Sequence, residues 1–142
     1  YPVFAREDGA RVAVGGERAM GGAGNYVQPT LFTGATNAMR VAQQEIFGPV
    51  LTVIPFTDEA DAVRIANDTP YGLGSYVYTT DLAQALRVAD ALDTGMVYVN
   101  GVGMDAPELP FGGTKRSGHG REKGFLALEE MSTTKTLVHY HG

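Results

Sequence analysis

An alternation of strand-like and helix-like runs in the middle of the chain constrains its fold most strongly. Residues 50–56, 74–79 and 96–100 are short runs rich in Val, Ile, Leu and Tyr, which are typical of strands. The two stretches between them place apolar side chains at helical spacing, and Thr57 and Asp81 are their predicted N-caps. Consecutive strands joined by crossover helices are parallel and right-handed. We therefore predict an α/β fold with a parallel sheet whose strands are buried on both faces.

Both ends of the chain add shorter predicted elements. Residues 11–15 and 26–32 are predicted strands around a Gly-rich turn at residues 20–24. Residues 122–131 are predicted to form a short helix, and residues 133–140 a final β-rich strand. Because this last strand is isolated from the others along the chain, we expect it to need a pairing partner.

Charge and cysteine content exclude several function classes. The formal net charge of -5 disfavours binding to nucleic acid or to an anionic membrane, because phosphate groups would be repelled. No apolar run approaches the ~18 residues of a membrane span. The chain has no Cys, which excludes disulfides, Cys-ligated metals and a cysteine nucleophile within these residues. It begins at Tyr1 without a visible secretory signal, so we expect a cytoplasmic protein whose true start lies upstream.

Two glycine-rich stretches partly match nucleotide-binding patterns. Residues 101–106 fit G-x-G-x-x-A directly after a strand, which is the place of a dinucleotide fingerprint. Pro107 and Pro110 interrupt the helix that such a site needs at the pyrophosphate, so this interpretation is the weaker one. Residues 112–117 lack the Gly-Lys-Ser/Thr ending of a P-loop. An independent nucleotide-binding module therefore stays an alternative.

Side chains near the C-terminus allow two further interpretations. His139 and His141 lie two apart on a predicted strand and share a face, which is compatible with metal ligation, but the sequence offers no evident third ligand. We therefore predict no metal site. A basic cluster in the glycine-rich tail either holds an anion or forms a solvated, pairing face, and we favour the second. The cluster comprises Lys115, Arg116, Arg121 and Lys123.

The run before the strand at residue 50 places a carboxylate and an aromatic ring beside a turn. In one interpretation this is a helix end, a turn and a strand start. In the other, Gly48 and Pro49 force a fixed turn that projects Glu45 and Phe47 into a cleft at a sheet edge. There the carboxylate can accept two hydroxyls of a sugar, and the aromatic face can pack against a flat ring. Spacing alone leaves both interpretations open.

Five ordered motifs resemble the NAD(P)-dependent aldehyde dehydrogenase superfamily. They are Y-x-x-P-T-x-F (residues 26–32, resembling the family's G-Y-x-x-P-T-x-F), E-I-F-G-P-V (45–50), A-N-x-x-x-Y-G-L (66–73), G-x-V-x-V-N (95–100) and P-F-G-G-x-K-x-S-G (110–118). Together they span most of the chain, whereas any one of them would only be suggestive.

The resemblance implies a role for particular residues. The carboxylate of Glu45 is expected to hydrogen-bond the nicotinamide-side ribose of NAD or NADP, and Phe47 is expected to pack near the nicotinamide. Phe111 resembles an aromatic contributor to the aldehyde pocket. Asn100 and Ser117 match positions interpreted as structural, with hydrogen bonds that hold loop ends near the site.

The region around these residues leaves the substrate open. Residues 101–109 resemble the loop that shapes substrate entry, but its acidic members, Asp105 and Glu108, do not define a substrate. Gln44 replaces an acidic residue often found there in the family, which leaves the ribose contact of Glu45 little affected. Residues 107–111 and 116–122 vaguely resemble semialdehyde-oxidising members.

The family reaction oxidises an aldehyde to a carboxylic acid through a cysteine thiolate, which this chain lacks. We therefore expect the C-terminal part of such an enzyme, inactive as an isolated chain, with residues 1–120 in the catalytic domain. Residues 121–142 are expected to be a C-terminal helix and an oligomerisation strand, which implies a homodimer or homotetramer. The alternative is a non-catalytic truncated homologue that acts through subunit interaction.

Overall fold

The computed structural model describes residues 1–19, 21, 24–104 and 106–142. These residues form a mixed α/β fold. The chain divides into two compact units, Tyr1–Thr69 and Pro70–Gly142. The elements of the first unit are α1 (Pro2–Glu7), β1 (Arg11–Val14), β2 (Thr30–Thr33), α2 (Arg40–Gln43), β3 (Val50–Thr52) and α3 (Glu59–Asn67). Those of the second are β4 (Tyr71–Gly72), β5 (Gly74–Val77), α4 (Leu82–Ala91), β6 (Met96–Val99), β7 (Thr114–Lys115) and α5 (Gly124–Glu130).

The predicted parallel pairing is confirmed for the two strands joined by α4, whereas β3 pairs with β2 and not with the next strand along the chain. In the first unit β2 runs parallel to β3, while β1 joins β2 in the antiparallel sense, giving the order β1-β2-β3. In the second unit β5, α4 and β6 form a βαβ unit with β5 parallel to β6, and β4 pairs antiparallel with β7. The α/β class of the prediction is therefore confirmed, although the strands belong to separate small sheets.

Burial on both strand faces was expected, and this expectation is wrong. Leu51 in β3 is 62% exposed and Val99 in β6 is 38% exposed. The fully buried Phe32 in β2 lies in the apolar core of the first unit. Because β3 is an edge strand and successive side chains alternate between faces, Leu51 points away from the face where its strand neighbours Val50 and Thr52 are half-buried.

Side-chain caps set the starts of the two longer helices. Asp81 caps α4 as predicted, because its Oδ1 accepts hydrogen bonds from the N–H groups of Ala83 (2.9 Å) and Gln84 (3.2 Å). The cap of α3 was predicted one residue too early. Asp58, not Thr57, accepts the hydrogen bond of the Asp61 N–H (2.8 Å), since the extended backbone of Asp58 aims its carboxylate at the first turn.

The predicted terminal elements are shorter in the structure. The strand expected at residues 26–32 begins only at Thr30. Before it, Val27 forms an isolated bridge with Arg18. Pro29 lies between this bridge and β2 and interrupts the pairing, because proline has no N–H to donate. The turn at residues 20–24 lies partly outside the described residues. The C-terminal helix forms as α5, but residues 133–142 carry no helix or strand in the single chain. A strand needs a pairing partner, so that prediction is not met within one chain.

Candidate functional site

Glu45 and Phe47 lie on a tight turn between α2 and β3. The chain leaves α2 at Gln44, whose backbone is extended, and Phe47 has a positive φ of 53°. The carbonyl of Gly48 then accepts a hydrogen bond from the Val50 N–H (2.7 Å). The Pro49 carbonyl accepts one from the Thr30 N–H (2.8 Å), which ties the turn to β2.

On this turn one side chain points into the core, and the side chains before and after it point outward. Ile46 packs against the core cluster around Phe32, while Glu45 is exposed and Phe47 is 91% exposed. Within the described residues, the Glu45 carboxylate makes no hydrogen bond or ion pair. A left-handed backbone costs a non-glycine residue about 1–2 kcal/mol, so the turn holds Phe47 outward at an energetic cost. Such strain is commonly found at ligand-binding positions.

Open clefts adjoin both side chains. Phe47 lies at a cleft of about 420 Å³ lined also by Gln28, Thr30 and Val50. A second cleft of about 450 Å³ is bordered by both Glu45 and Phe47, together with Thr52. The arrangement offers a carboxylate to hydroxyl groups and an apolar ring to a flat ligand, as the second interpretation of the sequence expected.

An ion-pair cluster joins α1 to the start of α2, and no sequence pattern pointed to it. Asp8 accepts hydrogen bonds from the Arg40 backbone N–H (2.9 Å) and from the guanidinium, with Nη2 at 2.6 Å. Glu7 accepts a further bond from the same Nη2 at 2.8 Å. The hydrogen bonds from the Arg40 side chain and backbone hold the pKa of Asp8 below its usual value, and the side-chain bonds to Asp8 and Glu7 raise the pKa of Arg40. Because 32 residues separate Asp8 from Arg40, only the fold brings them together.

In the second unit Phe111 lies beside an aromatic cleft. It forms a bridge with Glu122, in which each N–H donates to the other residue's carbonyl at 2.7 Å. The ring is 39% exposed, and the Lys123 ammonium lies 5.8 Å from its centroid. Phe111 borders a cleft of about 480 Å³ whose lining includes Tyr76 and Tyr98, stacked at 5.3 Å between centroids. This cleft suits an apolar organic group.

Close backbone packing and one arginine hold the glycine-rich segment that follows Phe111. A Cβ on Gly112 would overlap the Gly120 carbonyl, and one on Gly113 would lie 2.8 Å from Ser117 Cβ. Nη1 of Arg121 donates to the carbonyls of Gly113 (2.7 Å), Gly120 (3.0 Å) and His119 (3.1 Å). In the sequence Arg121 is visible only as a member of the basic cluster, and no pattern there indicates this role.

The structural roles predicted for Asn100 and Ser117 are confirmed. The Asn100 Oδ1 accepts from the Thr79 N–H (2.9 Å), and its Nδ2 donates to the Thr79 carbonyl (2.8 Å). The Ser117 Oγ accepts from the N–H of Gly72 at 3.1 Å. These bonds close the end of β6 and connect the loop before α5 to β4.

The remaining predicted groups do not converge on a site. Lys115 pairs with Asp93 at 3.2 Å, and Arg121 binds backbone carbonyls, so both side chains have partners within the unit. The rings of His139 and His141 lie 4.6 Å apart, and no group of three or more potential metal-ligating side chains occurs in the described part of the chain. Asp105, in the predicted substrate-entry loop, lies outside the described residues. Among the described helices, none is long and apolar enough to cross a membrane.

Comparison with known proteins identifies the family. The model of the aldehyde dehydrogenase family matches residues 4–137. An aldehyde dehydrogenase of Emericella nidulans is 49% identical over 140 residues, which is 99% of this chain and 28% of that protein. The phenylacetaldehyde dehydrogenase of Pseudomonas fluorescens is 47% identical over 93% of this chain and 26% of its own length.

The structural comparison agrees. The crystal structure of a Mycobacterium tuberculosis aldehyde dehydrogenase complexed with NAD+ superposes with a TM-score of 0.86 at 44% identity, covering 92% of this chain and 27% of that one. This chain therefore spans little more than a quarter of the length of the relatives it matches. Sequence, fold and motif order agree, and the chain belongs to the aldehyde dehydrogenase family.

Proposed function

We propose that this chain is the C-terminal part of an enzyme that oxidises an aldehyde to a carboxylic acid with NAD+ or NADP+. In that enzyme it supplies contacts to the cofactor and the substrate. The observation that carries the proposal is the turn at residues 45–50, which presents an unpaired carboxylate and an exposed ring on either side of the inward Ile46. The NAD+ complex of the Mycobacterium tuberculosis relative supports the choice of cofactor.

Glu45 acts in this proposal as the ribose anchor. An ionised carboxylate accepts two hydroxyl groups through charge-assisted hydrogen bonds, which are about twice as strong as neutral ones. Since Glu45 has no partner within the described chain, a ribose would not displace an existing bond. Phe47 covers the nicotinamide side of the cofactor. Holding the ribose fixes where the nicotinamide lies, and hydride transfer depends on that position.

Phe111 and the neighbouring aromatic side chains hold the aldehyde. The side chains lining their cleft are mostly apolar or aromatic, with Lys123 at its border, and they favour an apolar substituent on the reacting carbonyl; they include Leu73, Tyr76, Met96, Tyr98 and Met104. The thiolate that attacks the aldehyde must come from another part of the complete enzyme, because this chain contains no Cys.

Residues 133–142 act in this proposal as the strand that joins subunits. They have no regular structure in the single chain, and Val138 and Tyr140 are 63% and 87% exposed. Apolar side chains at alternate positions suit addition to the edge of another sheet. We therefore propose a homo-oligomer, a dimer or a tetramer, for the complete enzyme.

Steady-state and single-turnover kinetics of Glu45→Gln in the complete enzyme test the proposal. The amide keeps the shape but loses the charge, so we expect the dissociation constant of the cofactor to rise about tenfold and hydride transfer to slow. The melting temperature should not change, because Glu45 is exposed and has no partner among the described residues. Glu129→Gln, an exposed carboxylate on α5, is the matched control. Unchanged cofactor affinity and an unchanged hydride-transfer rate in Glu45→Gln would refute the proposal.

A further inference from the structure

We propose that Asp8 and Arg40 are positioning residues for the cofactor contact of Glu45. Their ion pair fixes the start of α2, and α2 in turn fixes the turn that carries Glu45. The inference rests on the proposed function, because it assigns the pair a role in cofactor binding through Glu45.

The Asp8 carboxylate binds both the backbone N–H and the side chain of Arg40, the first residue of α2. Met39, the residue before α2, provides no side-chain cap. The Asp8 carboxylate takes over this task from another element, since Oδ2 accepts from the Arg40 N–H at 2.9 Å. Its Oδ1 meanwhile accepts from Nε (3.0 Å) and Nη2 (2.6 Å) of Arg40, a two-nitrogen contact of defined geometry. We call this ion pair of Asp8 and Arg40 the clamp.

The other side of the clamp is anchored. Asp8 is the C-cap of α1, and Ala5 within α1 is completely buried in the core. Glu7 adds a second carboxylate at 2.8 Å, and the centroid of the Phe4 ring lies 4.2 Å from the guanidinium carbon. Arg40 is thus held from three sides by residues of α1 and its cap, which the core keeps in place.

The clamp acts on a helix that is too short to be stable by itself. α2 has only four residues, far fewer than the ~12–15 that a helix needs to be stable alone. It is fixed by contacts at its two ends and by buried Val41, whose carbonyl accepts from Thr52 Oγ1 (3.0 Å). At the far end, Gln43 Nε2 donates to the carbonyls of Asn37 and Asp68, both at 2.8 Å.

Glu45 follows α2 by two residues and depends on it for position. Its carboxylate is exposed and unpaired in the described chain, so only the backbone from Gln43 to Ile46 determines where it points. The Ile46 side chain fixes one end of this segment in the core. The other end is α2, which the clamp holds at its start and which Val41 and Gln43 hold further along; in this proposal, loss of the clamp shifts Glu45 without unfolding the unit.

We expect that breaking the clamp affects cofactor binding much more than it affects the stability of the fold. A partly exposed ion pair contributes little to global stability, and the Arg40 side chain is 38% exposed. A small shift of Glu45, in contrast, weakens two charge-assisted bonds to the ribose at once. The effect of breaking the pair should therefore fall on the cofactor dissociation constant and hardly on the melting temperature or on the KM of the aldehyde.

The first experiment measures NAD+ binding and kinetics of Asp8→Asn and Arg40→Gln in the complete enzyme. We expect cofactor affinity to fall about fivefold, with the aldehyde KM unchanged. Arg40→Lys should recover part of the loss, because an ammonium keeps the ion pair but not the two-nitrogen contact. The matched control is Arg64→Gln, which breaks an exposed ion pair with Asp61 of the same 2.6 Å length and should leave affinity unchanged.

The second experiment combines Asp8→Asn with Glu45→Gln in a double-mutant cycle. If Asp8 acts through Glu45, the double variant binds NAD+ no more weakly than Glu45→Gln alone. Losses that simply add, or normal affinity in Asp8→Asn, overturn this inference while the proposed function stands. A Glu45→Gln enzyme with normal affinity refutes the proposed function itself, so the two failures are distinguishable.

Discussion

The two units present their candidate groups by different means. In Tyr1–Thr69, Glu45 and Phe47 are exposed on a turn in which Phe47 has a left-handed backbone, and we propose that the clamp positions Glu45. In Pro70–Gly142, Phe111 is tied into a backbone bridge beside glycines that touch other backbone segments. The first arrangement can be altered by side-chain changes that leave the fold intact. The second makes the position of the candidate group inseparable from folding.

The largest effect is expected from Gly95→Ala in the second unit. A Cβ at this position would lie 2.8 Å from the Gly113 Cα and from the carbonyl carbon of Gly112, and backbone atoms cannot move aside as a side chain can. We expect the free energy of unfolding to fall by about 3 kcal/mol. The control is Gly101→Ala, whose Cβ would have, among the described residues, a single neighbour within 4 Å, the Val99 carbonyl at 3.8 Å. Equal denaturant midpoints for the two variants would contradict the view that close backbone packing at Gly95 stabilises the second unit.

A smaller effect of opposite sign is expected from Phe47→Gly in the first unit. Relief of the left-handed strain, worth about 1–2 kcal/mol, exceeds the cost of about 0.5–1 kcal/mol for glycine's greater freedom in the unfolded chain. Because the ring is 91% exposed, little packing is lost. Stability should therefore rise slightly, as calorimetry can measure, while cofactor affinity falls.

Phe56→Gly provides the comparison for that variant. Phe56 is also exposed, at 62%, but it is not among the residues with positive φ. Glycine there should lower the melting temperature, since no strain is relieved. If calorimetry shows both variants destabilised equally, the turn does not store strain.

The smallest expected effect is the pH dependence of the clamp. Hydrogen bonds from Arg40 lower the pKa of Asp8 below its ordinary value of 3.8 in the folded protein. A lowered folded pKa means that the contribution to stability is complete above the ordinary value and is lost as the pH falls through the folded one. The melting temperatures of wild type and Asp8→Asn should therefore differ slightly at neutral pH and converge in acid below about pH 4. A difference that persists or grows in acid would exclude the ion pair as its origin.

Local chemistry made part of the fold predictable. Asp81 caps its helix because a carboxylate one residue before a helical run can reach the free N–H groups, and this depends on neighbouring residues alone. The choice between Thr57 and Asp58 failed because both are good caps, and only the backbone geometry at Asp58 decides between them. Strand pairing within the βαβ unit was predictable because crossover connections favour parallel neighbours.

The candidate site was only partly predictable, because short motifs reveal local features and not contacts between distant segments. Glu45 and Phe47 stand in one short motif, so the family resemblance located them and the turn chemistry of Gly48 and Pro49 explained their outward direction. Arg121 was visible only as one charge among several, because its bonds go to backbone carbonyls that no pattern of side chains identifies.

The sequence by itself determined the family and the α/β class, since both depend on residue types at short and fixed spacing, whereas spacing alone left the direction of the turn at residues 45–50 open. Only the tertiary structure decided that Asp8 caps and clamps α2 from 32 residues away, and that Gly95 lies against the backbone at Gly112. These contacts join segments that are distant along the chain. Their formation depends on how the whole unit packs, and no local pattern encodes that packing.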